Sequence, residues 1–236
     1  MKSIIFSFIK QLLVKVIKSD MWHGMARYKK RGGNPRTIID VGAAKGIWTE
    51  KCMTIFPDAG YVLLEPLPQN KEILEKKVKN YPAGKLNYIQ AVAGESEGKV
   101  SFCVSDDLDG SGVYGPEQGD NFIELDCVSI DMAMARTNSQ GPFIIKLDTH
   151  GYEIPILNGS QKTLLQTDLL IIEVYGFHVS PTGLTFWEIC RYLDEKGFRL
   201  VDIVDIMRRP GDGAFWQADA FFAPKSNPLF ANNNYQ

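Results

Sequence analysis

The residues of this chain that could do chemistry are acids and a histidine placed where short apolar segments end. Asp40 and Glu65 follow the first two such segments, Asp148 and His150 follow a later one, and Glu173 lies near the end of the next. Carboxylates accept hydrogen bonds from ligand hydroxyl and ammonium groups, and a neutral imidazole takes up a proton near neutral pH. These residues predict a ligand site with acid–base groups, because three strands that end in the acids Glu65, Asp148 and Glu173 at one sheet edge are hard to explain by packing.

The most informative of these segments is Asp40-Val-Gly-Ala-Ala-Lys-Gly46, between an apolar run and an amphipathic segment. Its D-x-G-x-x-x-G spacing differs from the G-x-G-x-x-G of dinucleotide-binding turns and is typical of S-adenosylmethionine (SAM) sites. Small residues let a ligand lie against the backbone. The cofactor residues predicted from this loop are Asp40, Gly42, Ala43, Ala44 and Gly46. A tight strand-to-helix turn without a ligand would use the same small residues.

Further cofactor contacts are predicted after the next two strands. Glu65 comes where a carboxylate could accept hydrogen bonds from both ribose hydroxyls. Ala91 and Val92 could flank the adenine, and Glu95 could reach its amino group. Asp148 is predicted to orient the ligand or to act on the nucleophile.

Three residues are candidates for the catalytic groups. If a hydroxyl group reacts in this ligand site, it has to lose its proton, which favours a general base. His150 is the first candidate because a neutral imidazole is available near neutral pH, and Asp148 and Glu173 are the alternatives. A polar loop residue without a catalytic role would also explain His150.

Three other residues are candidates for binding the acceptor: His178, Trp216 and Asp212. An aromatic ring such as that of Trp216 can stack on the C–H groups of a sugar while acids bind its hydroxyls. His178 could equally be a surface residue, and Trp216 could begin the last strand and pack on the sheet. The histidines and acids show no metal-ligand spacing, so no obligatory metal is predicted.

Apolar and helical segments alternate after residue 36, which predicts a doubly wound sheet with ligands at the carboxyl ends of its strands. The predicted strands are Thr37–Val41, Tyr61–Leu64, Leu86–Val92, Phe143–Leu147, Leu169–Val174, Phe198–Ile206 and Gln217–Ala223. The predicted helices are Ile47–Phe56, Pro68–Lys79, Glu153–Leu165 and Leu184–Lys196. Two further short strands, Lys99–Ser105 and Phe122–Cys127, read as an inserted hairpin with a mobile loop.

The first 36 residues carry nine Lys and Arg against one acid, a charge of +8, whereas the whole 236-residue chain has a net charge of −2. Residues 5–17 have an apolar face and a polar one, which predicts an amphipathic helix. Its lysines exclude a membrane span, so it would pack on the body or a second subunit, or lie on anionic lipid. The acidic body argues against a nucleic-acid substrate. Four widely spaced cysteines suit reduced thiols in a cytoplasmic protein. A leader helix on anionic lipid would place this protein at the inner face of the membrane.

From Thr37 to Phe222 the chain resembles the FkbM family of SAM-dependent methyltransferases. The segments that carry the resemblance are Ile39–Ala43, Lys146–Glu153, Leu157–Gly159, Ile171–Val174 and Asp212–Asp219. The resemblance implies a Rossmann-like class I methyltransferase fold, α/β, with a seven-stranded, mostly parallel sheet and an antiparallel last strand. It also implies SAM as cofactor and a hydroxyl acceptor on a sugar, a glycan or a small metabolite.

The charge pattern, the composition and the extent of the resemblance together divide the chain into a basic leader (1–35), a methyltransferase domain (36–225) and a flexible tail (226–236). Two departures stand out. The family commonly has Asn-x-Gly where this chain has Ala44-Lys45-Gly46, and Glu or Gln where it has His150. The alternatives are a catalytically silent SAM-binding or scaffold protein and, less favoured by the glycine spacing, an NAD(P)-dependent oxidoreductase.

Overall fold

The computed structural model describes residues 19–105, 111–113 and 122–235. The strands are β1 (Thr37–Val41), β2 (Gly60–Leu64), β3 (Leu86–Ile89), β4 (Val92–Gly94), β5 (Gly98–Cys103), β6 (Phe122–Ser129), β7 (Phe143–Leu147), β8 (Thr167–Tyr175), β9 (Phe198–Arg208) and β10 (Phe215–Pro224). The helices are α1 (Met21–Lys30), α2 (Ile47–Ile55), α3 (Pro68–Lys79), α4 (Ile130–Thr137), α5 (Glu153–Asn158), α6 (Gln161–Leu164) and α7 (Phe186–Glu195), followed by a 3-10 turn at Pro228–Phe230.

Seven of the strands form the main sheet, in the order β3-β2-β1-β7-β8-β10-β9. The first five in this order are parallel to one another, and β10 runs antiparallel to both β8 and β9. This confirms the predicted seven-stranded sheet with an antiparallel last strand. The order reverses between β1 and β7, and such a switch point opens a crevice at the carboxyl ends of the strands.

The two central strands are buried along their whole length, which explains why they read as continuous apolar runs. Side chains alternate between the two faces of the sheet. Ile39 belongs to one apolar core, with Val62 and Ile145, whereas its neighbour Ile38 belongs to the other, with Tyr61. Helices cover both faces, as the sequence pattern predicts.

A second, three-stranded sheet has the order β4-β6-β5. The antiparallel pair β5–β6 confirms the predicted inserted hairpin, and β4 adds a parallel strand to β6. The loop predicted at 106–120 lies largely outside the described residues. The prediction of a single strand over Leu86–Val92 is wrong, because the strand of the main sheet ends at Ile89. The amide of Ala91 donates to the carbonyl of Ile89 (3.0 Å), and after this tight turn Val92 belongs to the small sheet.

Two helices also differ from the prediction. Helix α4 was not predicted, although Ser129 caps it by accepting a hydrogen bond from the Met132 amide (3.2 Å). The single helix predicted at 153–165 is two short helices that break at Gly159. A Cβ atom at Gly159 would lie 2.1 Å from the carbonyl oxygen of Gly94, so this glycine lets the chain pass directly against β4.

Residues 1–18, which include the predicted amphipathic helix, lie outside the described part of the chain. The remainder of the predicted leader forms α1, which packs on β9. The Met21 amide donates to Asp205 (2.6 Å), and the Arg27 guanidinium donates to Asp202 (2.6 Å). Within the described residues, no helix is long and apolar enough to cross a membrane.

Candidate active site

A cavity of about 670 Å³ opens at the carboxyl ends of β1, β2, β7 and β8. Most of the predicted cofactor residues line it: Asp40, Gly42, Ala43, Ala44, Glu65, Ala91, Val92 and Asp148. The other two do not. Gly46 precedes α2 in a left-handed conformation, and Glu95 is an exposed residue beyond the end of β4. The fold therefore brings predicted cofactor residues from four separate segments to one cavity.

The glycine loop follows β1 with three residues in the left-handed region, Gly42 (φ 75°), Ala44 (φ 45°) and Gly46 (φ 70°). Gly42 permits both this conformation and a close approach to β7, because a Cβ atom there would lie 2.2 Å from the carbonyl oxygen of Asp148. Only a glycine fits at this position. The departure from the family pattern at Ala44-Lys45-Gly46 leaves the turn intact.

Glu65 is buried beside this loop. Its carboxylate accepts hydrogen bonds from the amides of Ala44 (2.8 Å) and Leu67 (2.9 Å). Burial raises the pKa of Glu65 above its ordinary value, and these two hydrogen bonds oppose the shift. The carboxylate is thus held at the cavity wall, next to the glycine loop.

A buried lysine links the acids of the two central strands. The Lys146 ammonium lies 2.9 Å from Asp148 Oδ2 and 3.6 Å from Asp40 Oδ1. Asp40 also accepts a hydrogen bond from the Thr49 hydroxyl (2.6 Å), whereas its Oδ1 atom has no hydrogen-bond partner among the described residues. Burial raises the pKa of Asp40, and Lys146 opposes that shift. Burial would likewise raise the pKa of Asp148, but Lys146, together with His150 and Glu173, holds that pKa below its ordinary value.

The three candidate catalytic residues lie together at the β7 and β8 side of the cavity and all line it. His150 Nδ1 is 2.7 Å from the Tyr175 hydroxyl and 3.1 Å from Glu173 Oε2, and His150 Nε2 is 4.0 Å from Asp148 Oδ1. Tyr175 and Gln217 each donate a hydrogen bond to Glu173. His150 has a left-handed backbone (φ 50°) at the turn before Gly151.

One atom from each of Asp148, His150 and Glu173 lies within 4.8 Å of the others, a spacing that could hold a metal ion. The surroundings favour acid–base chemistry instead. A fixed cation, Lys146, already neutralises Asp148, and both oxygens of Glu173 accept hydrogen bonds. That no metal is obligatory remains a prediction.

The three predicted acceptor residues lie outside the cavity wall. His178 is 62% exposed and its Nδ1 is 2.9 Å from the Gly183 carbonyl oxygen. Asp212 forms an exposed ion pair with Arg209 (2.7 Å). Half-buried Trp216 packs against the rings of Tyr175 and Phe177, at centroid distances of 6.0 and 5.8 Å. Only Trp216 is thereby connected to the catalytic cluster, through Tyr175.

Sequence reasoning missed Lys146, Tyr175 and Gln217. The sequence does indicate a role for Lys146, since a lysine within a continuous apolar strand needs buried counter-charges. Gln217 and Tyr175 are register partners on β10 and β8, and no feature of the sequence fixes that register.

Comparison with known proteins decides the family. The sequence matches the model of the methyltransferase FkbM domain over residues 40–200, more than half of the chain. The chain belongs to the FkbM methyltransferase family. SAM is the cofactor of these methyltransferases, as the glycine loop of this FkbM-family chain predicts. A comparison with proteins of curated function gives no significant match.

Solved structures support the fold of this FkbM-family chain. Methyltransferase FkbM from Methylobacillus flagellatus KT matches with a TM-score of 0.53 at 17% identity, over 79% of this chain and 43% of that chain. This chain thus spans less than half the length of that protein.

Two further matches are looser. The 1,6-didemethyltoxoflavin-N1-methyltransferase of Burkholderia thailandensis, with bound 1,6-didemethyltoxoflavin and S-adenosylhomocysteine, has a TM-score of 0.48 at 11% identity, over 94% of this chain and 86% of that chain. The O-methyltransferase NcsB1 from neocarzinostatin biosynthesis, in complex with SAM and 2-hydroxy-5-methyl naphthoic acid, has a TM-score of 0.47 at 9% identity, over 94% of this chain and 57% of that chain.

Proposed function

We propose that this protein is a SAM-dependent O-methyltransferase that acts on a hydroxyl group of a small molecule or a sugar unit. The observation that carries the proposal is the cluster of Asp148, His150 and Glu173, which lies in the same cavity as the glycine loop. The cluster puts an imidazole, which can accept a proton, beside the loop that is suited to the methyl donor. A hydroxyl acceptor needs both.

The cavity wall suits SAM in three ways. The volume of about 670 Å³ falls within the roughly 300–1,000 Å³ typical of small-molecule sites. The loop lines the cavity with the small residues Gly42, Ala43 and Ala44, so a ligand can lie close to the backbone. Within the part of the chain that the structure describes, buried Asp40 Oδ1 has no hydrogen-bond partner, and such an atom suits the ammonium group of the methionine moiety.

Each part of the cofactor has residues that would hold it. The loop at Gly42–Ala44 and Asp40 would hold the methionine part, and Glu65 would accept hydrogen bonds from the ribose. Ala91 and Val92 would flank the adenine. Bound SAM supplies an electrophilic methyl group, and its sulfur keeps the electrons of the broken carbon–sulfur bond.

The protein then has to position the acceptor and receive its proton. Near-attack positioning is worth roughly 7–11 kcal/mol, and a general base contributes on the order of 10²–10⁴-fold in rate. His150 would accept the proton as the oxygen–carbon bond forms. Asp148 is less suited to this role, because Lys146 already stabilises its charge.

Calorimetric titration with SAM and with S-adenosylhomocysteine tests the cofactor site. We expect micromolar binding by the wild type and at least tenfold weaker binding by Glu65→Ala, a loss of about 1.4 kcal/mol. Glu95→Ala is the matched control, since Glu95 is exposed and does not line the cavity, and its affinity should equal that of the wild type.

If the wild type bound neither compound, the proposal would be wrong. Equal loss of affinity in both variants would point to a general effect on the fold. With binding established, radiolabelled SAM and a panel of sugars and hydroxylated metabolites identify the acceptor. Binding of SAM without turnover on any hydroxyl acceptor would instead support a silent SAM-binding protein.

A further inference from the structure

The hydrogen bonds around Glu173 have a consequence for the protonation of His150. A carboxylate can only accept hydrogen bonds, so the Tyr175 hydroxyl donates its single proton to Glu173 Oε2. The Tyr175 oxygen therefore presents a lone pair to His150 Nδ1, at 2.7 Å. Glu173 Oε2 itself lies 3.1 Å from Nδ1 and is also an acceptor.

Two acceptors facing Nδ1 require that this nitrogen carries the proton. Neutral imidazole has one protonated nitrogen and one lone pair, and the hydrogen bond at one nitrogen fixes the state of the other. The lone pair of His150 is therefore on Nε2. On this side of the ring, Nε2 lies 4.0 Å from Asp148 Oδ1.

We propose that Glu173 is a positioning residue that, directly and through Tyr175, holds His150 in the Nδ1–H tautomer so that Nε2 accepts the proton of the acceptor hydroxyl. The proposal rests on the O-methyltransferase function proposed above and explains how the general base, His150, is held in the reactive tautomer. The hydroxyl proton goes to Nε2, and the imidazolium that forms keeps its Nδ1–H directed at the carboxylate of Glu173, which offsets the new charge.

Gln217 completes the arrangement. Its side-chain amide donates to Glu173 Oε1, so the carboxylate is held from one side by Gln217 and from the other by Tyr175. Gln217 and Tyr175 are register partners on neighbouring strands, and the sheet thus fixes their separation. A carboxylate held at both oxygens cannot rotate away from His150.

The tautomer can be measured without an acceptor. The chain has three histidines, so long-range ¹H–¹⁵N correlation spectra of ¹⁵N-labelled protein contain three imidazole rings, and His150→Gln assigns the ring of interest. At about pH 8, where an ordinary histidine is neutral, we expect the proton of His150 on Nδ1, with and without S-adenosylhomocysteine. A proton on Nε2 would overturn the proposal.

Two variants separate the role of Glu173 from packing. In Glu173→Ala the Tyr175 hydroxyl loses its acceptor and can donate to Nδ1, so the proton of His150 should move to Nε2. In Glu173→Gln the amide oxygen can still accept from Tyr175, so the Nδ1–H tautomer should persist. An unchanged tautomer in a folded Glu173→Ala would also refute the proposal.

The wild-type spectrum decides the tautomer even where Glu173→Ala does not fold. The result is also independent of the cofactor titration. A wild type that fails to bind SAM contradicts the proposed function, whereas a wrong tautomer contradicts only the role given to Glu173.

Discussion

At the scale of single residues, the site depends on Lys146. Burial alone would lower the pKa of this lysine, but the carboxylates of Asp148 and Asp40 outweigh burial and raise the pKa above its ordinary value. The ammonium also lies 5.5 Å from the centroid of the Trp48 ring. Lys146 is therefore charged at neutral pH and is the partner that allows Asp40 to be fully buried.

Removing that cation should destabilise the protein strongly. Lys146→Met is expected to lower the free energy of unfolding by about 3–5 kcal/mol, because it leaves the buried Asp40 without a counter-charge. Urea denaturation followed by circular dichroism measures the change. The double variant Lys146→Met/Asp40→Asn should regain a large part of the loss, since Asn keeps an oxygen for the Thr49 hydroxyl. A double variant no more stable than the single one would contradict this account.

The acids of the site could be predicted from sequence because parallel strands end at the same edge of a sheet. Asp40, Glu65, Asp148 and Glu173 all line the cavity for this reason. Among the residues that orient them, Lys146 carries a signal in the sequence, whereas Tyr175 and Gln217 do not. Gln217 reaches Glu173 only because of the register between β10 and β8, and that register depends on packing across the whole sheet.

At the scale of elements, the turn after β1 brings that strand's loop against the end of β7. The sequence predicts β1, β2, β7 and the helices α2 and α3 well, because their apolar runs and turn residues agree with their tertiary environment. The break between β3 and β4 could not be predicted. Both pieces are apolar, and only contacts with β6 in the small sheet decide that Val92 leaves the main sheet.

Substitutions at two glycines separate the stability cost of the close approach at the β1 turn from the cost of backbone strain. Gly42 (φ 75°) and Gly84 (φ 79°) have nearly the same left-handed conformation, but a Cβ atom would meet the Asp148 carbonyl at Gly42 and nothing within 4 Å at Gly84. Gly84→Ala should cost about 1–2 kcal/mol of stability from strain alone. Gly42→Ala should cost a further 1–3 kcal/mol from the clash.

Gly42→Ala should also weaken SAM binding in calorimetry, whereas Gly84→Ala should bind SAM like the wild type. Equal stability losses and equal affinities for the two variants would show that the contact between this loop and β7 has no special role.

At the scale of the whole molecule, carboxylates from several strands of the main sheet lie near one another. Asp219 on β10 is the register partner of Glu173 on β8 and lies near Lys146, Asp148 and Asp205. Burial is the main reason that the pKa of Asp219 rises from 3.8 to about 7. The carboxylates of Asp148, Glu173 and Asp205 add to this rise, and Lys146 opposes it.

This raised pKa predicts a dependence of stability on pH that can be isolated with one variant. The folded state binds the Asp219 proton more tightly than the unfolded state, so the contribution of Asp219 to stability is complete below about pH 4 and is lost as the pH rises to about 7. Each unit of pKa shift corresponds to about 1.4 kcal/mol. Between pH 5 and pH 7.5 the wild type should therefore lose on the order of 2 kcal/mol of stability relative to Asp219→Asn, which cannot titrate.

Urea unfolding of both proteins across this range measures the difference in stability, and taking the difference removes the contributions of the other carboxylates. A difference that stays constant with pH, or that favours the wild type as the pH rises, would show that Asp219 is ionised in the folded protein throughout this range.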